Sequence, residues 1–331
     1  MSRALRRAIA CVAAAVLVLQ LARIDASAAP GDLVADVMVP DAYPDYVAPS
    51  VAFDGSYLYY AEYGGSTLIR IDVPPAGSAG TGTNQVRTPI QNAPAGVMNL
   101  AYDRGRRAFW AIGGDGLSMY LLTRTGQATL VFTIDASEDR PGFVPGPFPS
   151  ETKIAYDASD DTLWYSPDGN ARVYHFRTTA DASGSASLVE GNPYIDVDAA
   201  PNDMVGECGY SQSSGVATGG AHLFISVAGC GYYFEYSKTG QKIAAYAYNT
   251  NAGTSTQDIE CDDLSYSVPV LWIRDGYDGH MRAFEQPSAG ACAFGGGASA
   301  PAPTPTPTAA PTPTPLLPLP LPLPTIRVGF R

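Results

Sequence analysis

Cationic side chains are in short supply in this 331-residue chain. Twenty Lys and Arg stand against 32 Asp and Glu, a formal net charge of −12. Phosphate backbones are held by basic faces, so nucleic acid is not an expected partner. Histidine is scarcer still, with only His175, His222 and His280. There is no Gly-x-Ser-x-Gly elbow, no Ser/His/Asp order that points to a nucleophilic triad, and no calcium-loop motif. The main apolar run, Ala8 to Leu21, has fourteen residues, short of the roughly 20 of a membrane-spanning helix.

That run is better read as the core of a leader. Arg3, Arg6 and Arg7 precede it and Ala26-Ser27-Ala28 follows it, the order of basic segment, apolar segment and small-x-small cleavage site. Residues 1–28 are therefore expected to be a signal peptide, leaving a secreted or cell-envelope chain without a transmembrane span. Removing it takes away four arginines and one aspartate, which makes the remainder more acidic still. Cys208, Cys230, Cys261 and Cys292 then remain, an even number in an exported chain. Two disulfides are expected, with three possible connectivities. At the other end, residues 298–331 alternate Pro with Ala, Thr and Leu, as in Pro301, Pro303, Pro305, Pro307 and Pro318, Pro320, Pro322, Pro324. Proline offers no N–H to a helix or ladder, so an extended, disordered Pro-rich tail is expected: an anchor, a stalk or a free end.

Between these ends, residues 29–297 repeat one short pattern five times: an apolar residue, a small one and an aromatic, then a turn, then a second aromatic-rich run. The copies align on Phe53, Tyr102, Tyr156, Tyr210 and Tyr266, spaced by 49, 54, 54 and 56 residues. Asp54, Asp103 and Asp157 follow the first three anchors and suit turns, because Asx side chains bond nearby backbone N–H groups. Second strands are expected at Leu58-Tyr59-Tyr60, Phe109-Trp110, Leu163-Trp164-Tyr165, Leu223-Phe224-Ile225 and Leu271-Trp272-Ile273. Further Gly-rich turns and β-rich runs complete about four strands per period. A regular period of this kind defines a repeat architecture, and four-stranded meanders define propeller blades. The expected fold is all-β: a β-propeller of five four-stranded blades, six being the alternative count. The fifth copy has a weak fourth strand, and Leu33 to Val39 is a spare strand that can close the ring.

Runs such as Ser50-Val51-Ala52-Phe53-Asp54-Gly55-Ser56-Tyr57-Leu58-Tyr59-Tyr60 and Leu163-Trp164-Tyr165-Ser166-Pro167-Asp168-Gly169 resemble the repeats of NHL-type, streptogramin-lyase-like and gluconolactonase-like propellers. The resemblance covers about residues 33 to 290 and implies a scaffold rather than a reaction.

The column three residues before each anchor reads Ser50, Asn99, Lys153, Glu207, Asp263. All five are polar, and the innermost strand of a blade borders the central channel, so this column is the expected ligand-binding ring. In the fifth copy Asp258, Glu260, Asp262 and Asp263 precede the anchor, and Asp275 and Asp278 follow the second strand. Clustered carboxylates suit calcium or another divalent metal, with Glu207, Asp262, Asp263, Asp275 and Asp278 as candidate ligands. Gluconolactonase-like enzymes hold a divalent metal with Glu, Asn and Asp from channel positions, which Glu207, Asn99 and Asp263 would match. Ser50 stands where that family's characteristic early Glu is missing. Streptogramin-lyase-like activity implies a site histidine, and none of the three falls in the column. The favoured reading is a monomeric binding or interaction module for a glycan, peptide or envelope protein. The alternative is a metal-dependent hydrolase or lyase. Tyr43, Tyr46, Tyr63, Tyr210, Tyr232 and Tyr277, near expected turns, suit a binding surface.

Overall fold

In a computed structural model, the described residues are 29–39, 50–62, 64–135, 148–248, 256–276, 278–286 and 292. The expected leader, the proline-rich tail, Tyr43, Tyr46, Tyr63 and Tyr277 lie outside them.

The strand that precedes the first repeat is β1 (Leu33–Met38). The first blade is β2 (Ala52–Phe53), β3 (Tyr57–Tyr60) and β4 (Thr67–Asp72); after β5 (Ala79–Thr81), β6 (Val86–Pro89) forms its outer edge. The second comprises β7 (Val97–Asp103), β8 (Ala108–Gly113), β9 (Ser118–Leu122) and β10 (Ala128–Thr133). The third comprises β11 (Phe148–Asp157), β12 (Thr162–Asp168) and β13 (Arg172–Ala180), edged by β14 (Ala186–Leu188) and β15 (Tyr194–Asp196). A four-residue helix, α1 (Val205–Cys208), precedes the fourth blade: β16 (Gly215–Gly219), β17 (His222–Ser226), β18 (Tyr232–Ser237) and β19 (Lys242–Ala247). The fifth is β20 (Thr256–Asp262), β21 (Val270–Asp275) and β22 (His280–Glu285). β1 pairs antiparallel with β22, so the chain's first strand completes the last blade, as the spare strand foretold. β5 then adds in parallel outside β1.

Five apolar clusters lie between consecutive sheets. Trp110 and Phe132 meet Leu163 and Tyr165 between the second and third blades, and Trp164 meets Ile225 and Phe234 between the third and fourth. Val51 and Leu58 meet Trp272 and Met281 between the first and fifth, which closes the ring. Each blade is covered on both faces, so inner strands are buried nearly throughout rather than at alternate residues. β8 (AFWAIG) and β12 (TLWYSPD) are buried at every position, whereas the outer strands β6 and β19 have no fully buried residue.

The turn after each innermost strand shows how the repeat is built. Asp103 Oδ1 accepts the Arg106 N–H at 2.9 Å and its Oδ2 accepts Trp110 Nε1–H at 3.2 Å. Asp157 repeats this with the Ser159 N–H and Trp164. Asp262 repeats it with the Leu264 N–H and Trp272. In the first blade Asp54 holds the N–H groups of Ser56 and Tyr57. One carboxylate thus forms the turn and, in three blades, satisfies the indole N–H of a buried tryptophan.

This Asp–Trp pairing corrects the alignment of the fifth copy, and the strand register corrects the fourth. In the fifth blade the residue before the turn aspartate is Cys261, not Tyr266; in the fourth, the position paired with Leu223 is Thr218, not Tyr210. Cys208-Gly209-Tyr210 includes the end of α1 and its left-handed cap at Gly209, not an innermost strand. The two disulfides pair Cys208 with Cys230 and Cys261 with Cys292.

Candidate functional site

The innermost strands all begin at one end of the ring, the mouth, and finish at the other, the base, where the Asp turns lie. Four residues before Asp54, Asp103, Asp157 and Asp262 stand Ser50, Asn99, Lys153 and Asp258. The same register in the fourth blade, where Gly219 pairs with His222, selects Gly215. The column of the folded protein is therefore Ser50, Asn99, Lys153, Gly215 and Asp258. It keeps three of the five expected residues and replaces Glu207 and Asp263.

These side chains are buried, with Ser50, Asn99 and Lys153 at 0% exposure and Asp258 at 1%. Asp258 Oδ2 accepts the Val51 N–H of the first blade at 2.7 Å and Asn99 Nδ2–H of the second at 2.6 Å. Asn99 Oδ1 in turn accepts the Ile154 N–H of the third blade at 2.8 Å. Ser50 Oγ accepts the Ala61 N–H at 2.8 Å, and Lys153 Nζ donates to the Glu151 carbonyl at 2.7 Å. The physical cause is the inner edge of each blade. An innermost strand has no neighbour on its channel side, and buried N–H groups left there without acceptors are costly. Polar side chains from adjoining blades supply the acceptors. Gly215 serves the same crowding differently: a Cβ there would lie 2.5 Å from Ser226 Oγ and 2.9 Å from Asp258 Cα.

Burial pushes the Asp258 carboxyl up to about 7, opposed by the Lys153 ammonium and by the hydrogen bonds from Val51, Ile259 and Asn99. Burial likewise lowers Lys153, opposed by Asp258, Asp168 and Glu151.

Toward the mouth the polar character continues with fewer internal partners. Glu151 lies two residues upstream of Lys153, and its carboxyl is raised by burial and then by the Asp168 carboxylate. Arg274 is 2% exposed, its guanidinium 5.9 Å from the Tyr60 ring, and burial lowers it to about 10. Among the described residues, Arg274 Nε and Nη1, Ser226 Oγ, Gln257 Oε1 and Asp168 Oδ1 are buried without a hydrogen-bond partner. Such atoms are where a polar ligand or ordered water is expected. Arg274, Ser226, Gln257 and Asp168 were not singled out from the sequence as ligands. The signal that could have found them is the Asp–Trp spacing, which sets the register of β20 and hence of Gln257 and Arg274.

The expected metal ligands fall in three separate places. Glu207 lies on α1, with both carboxylate oxygens on Lys242 Nζ of the outer strand β19 at 3.1 and 3.2 Å. Asp262 forms its turn, and Asp263 just beyond it lies 3.9 Å from Arg104. Asp275 and Asp278 belong to the opposite end of the blade, because Thr256 pairs with Asp275 while Asp262 pairs with Val270. Six residues of strand separate those ends, about 20 Å. An innermost strand that began after Asp263 would have put the two groups at one end of the blade, but the strand runs from Thr256 to Asp262. Asp278 is held by Arg282. Among the described residues no group of three or more His, Cys, Asp and Glu side chains could hold a metal ion. The donor set thus does not fit the divalent metal of the gluconolactonase-like propellers. Each histidine belongs to its blade: His222 bonds Glu235, His280 bonds Asp36 at 2.6 Å, and His175 bonds Thr162 at 2.6 Å. Tyr210, 37% exposed, donates its hydroxyl to the Ala228 carbonyl at 2.7 Å.

No protein-family model matches the chain, and no curated protein matches it in sequence. Solved structures do match. A chain of the nidogen/laminin complex is 14% identical, with 70% of this chain and 72% of that one covered, at a TM-score of 0.41. A catalytically inactive virginiamycin B lyase from Staphylococcus aureus, with quinupristin, is 14% identical over 74% of this chain and 67% of its own, at 0.39. A luciferin-regenerating enzyme is 11% identical over 72% and 76%, at 0.42. These neighbours are β-propellers, and the likeness is one of scaffold. The protein is a five-bladed β-propeller.

Proposed function

We propose that this propeller is a binding module of the cell exterior or envelope, and that its channel mouth is the face it presents to a glycan, peptide or envelope protein. One observation carries this reading. The column that a metal-dependent hydrolase or lyase would need open is closed by hydrogen bonds from Asp258 to Val51 and from Asn99 to Ile154. Unpartnered polar atoms stand instead on Arg274 and Ser226, at the register of that column, and on Gln257 and Asp168 toward the mouth. Two disulfides and the leader-like first 28 residues support an exported location. The acidic balance argues against nucleic acid.

The test is a glycan and peptide array probed with the full chain, the R274Q variant and an E151Q/D168N variant. Binding by the wild type that both variants lose supports the mouth as the surface. Binding that survives in both places the surface elsewhere. A rise in melting temperature with calcium, magnesium, manganese or zinc that E207Q/D263N abolishes would restore the metal-dependent reading, since a ligand specific to the native state stabilises it by mass action.

A further inference from the structure

The base of the ring carries a second, chemically different feature. Between the first two blades lies a cavity of about 210 Å³, lined by Asp54, Tyr57, Tyr59, Arg70, Thr88 and Arg124, among others. Two guanidinium groups face one carboxylate in a chain whose net charge is −12.

That carboxylate is already engaged. Asp54 Oδ1 accepts the N–H groups of Ser56 and Tyr57, both at 2.9 Å, and Oδ2 lies 2.9 Å from Arg124 Nη2. Arg124 Nη2 also donates to the Tyr102 hydroxyl at 2.5 Å. Arg70 lies over the Tyr57 ring, 4.2 Å from its centroid, and its Nε is buried without a hydrogen-bond partner among the described residues. A guanidinium carries five N–H donors in a planar fork, and these contacts occupy only part of the two sets. The remaining wall is neutral and firmly placed. Tyr59 and Tyr102 pack on Phe109 with ring centroids 4.8 and 5.2 Å away. Burial and Asp54 push the Tyr59 hydroxyl up to about 12, so it stays a neutral hydrogen-bonding group.

From this arrangement we propose that the cleft binds a small organic acid, its carboxylate received by Arg70 and Arg124 and its body set against Tyr57 and Tyr59. Arginine favours carboxylates through paired, charge-assisted hydrogen bonds. At about 30 Å³ per water, the cavity holds a ligand the size of one monosaccharide or one amino acid. The site is separate from the channel mouth and does not depend on that reading.

Calorimetric titration of the full chain with D-galacturonate and L-glutamate tests it, with D-galactose and L-glutamine as neutral counterparts and inorganic phosphate as a general anion. At least one acid should bind about tenfold or more tightly than its neutral counterpart and than phosphate, since a charge-assisted hydrogen bond is worth at least that factor. Galacturonate alone identifies a sugar acid, and glutamate alone an amino acid. Arg70→Gln and Arg124→Gln should each weaken binding about tenfold or more. Because Arg124 also partners Asp54, its variant is read only with an unchanged melting temperature, and Arg70→Gln decides otherwise. The proposal is overturned if neither acid binds at millimolar concentration, if acid and neutral forms bind alike, if phosphate binds as well, or if Arg70→Gln leaves affinity unchanged.

Discussion

Asp258 of the fifth blade accepts the backbone N–H of Val51 in the first blade, 207 residues away in sequence, at 2.7 Å. The same carboxylate oxygen holds Asn99 of the second blade, which reaches the third. Asp258 and Asn99 together therefore link four of the five blades near the axis.

Removing that carboxylate should be costly. Asp258→Ala leaves the Val51 N–H and the Asn99 amide without their acceptor, and strips the buried Lys153 of a counter-charge in the ring. Breaking a buried charged pair from one side costs about 3–5 kcal/mol. Asp258→Asn keeps an acceptor and should cost less. Urea unfolding of both variants, compared at one temperature, checks the order.

The same residue sets a pH dependence. Its carboxyl is raised to about 7 in the fold, against about 3.9 in an unfolded chain. Between these values the native state binds the extra proton, so stability falls as pH rises from about 4 to 7. Glu151, also raised, acts in the same direction. Asp157 and Asp278 are lowered by Lys238 and Arg282 respectively, despite burial, and act oppositely, losing their contribution as pH falls below about 4. Wild type should lose on the order of 2–4 kcal/mol across the upper window, and Asp258→Asn should show a flatter profile. Parallel profiles for the two proteins would contradict this assignment.

Gly215→Ala should destabilise through close approach. Its Cβ would meet a flexible atom, Ser226 Oγ, and a backbone atom, Asp258 Cα, which cannot step aside. A cost of about 1–3 kcal/mol is expected from overpacking. Thermal melting of G215A and G215A/S226A distinguishes the two contacts: the second change should recover only part of the loss.

Reduction should lower stability at both bridges. Cys208–Cys230 closes 22 residues and Cys261–Cys292 closes 31. The chain-entropy argument assigns about 3–4 kcal/mol to each. Melting with and without dithiothreitol, and of the C208A/C230A and C261A/C292A pairs, measures them separately.

Much of the architecture was legible along the chain. The near-constant period marked five blades, Asp54, Asp103 and Asp157 marked their turns, and Leu33 to Val39 marked the closing strand. Ser50, Asn99 and Lys153 share one register because the first three copies share the anchor-then-Asp pattern. The fourth and fifth copies misled for local reasons. Cys208-Gly209-Tyr210 and Leu264-Ser265-Tyr266 imitate the apolar-small-aromatic signature, yet one includes the end of a helix and the other lies in an extended turn. That turn places seven residues between Asp262 and Val270, whereas two separate Gly219 from His222. A pattern of three residues cannot register such changes in length.

The sequence by itself determined the class of fold and the repeat that builds it, with five blades favoured over six, because period, strand propensity and turn chemistry act over a few residues. Which residues complete the polar column, and which cysteines join, was decided by tertiary structure alone. Asp258 is recognised by a backbone N–H 207 positions away, and Gly215 by the strand that crowds it. Those constraints exist only once the fifth blade meets the first and the fourth, and they explain why the axis is held by hydrogen bonds between blades.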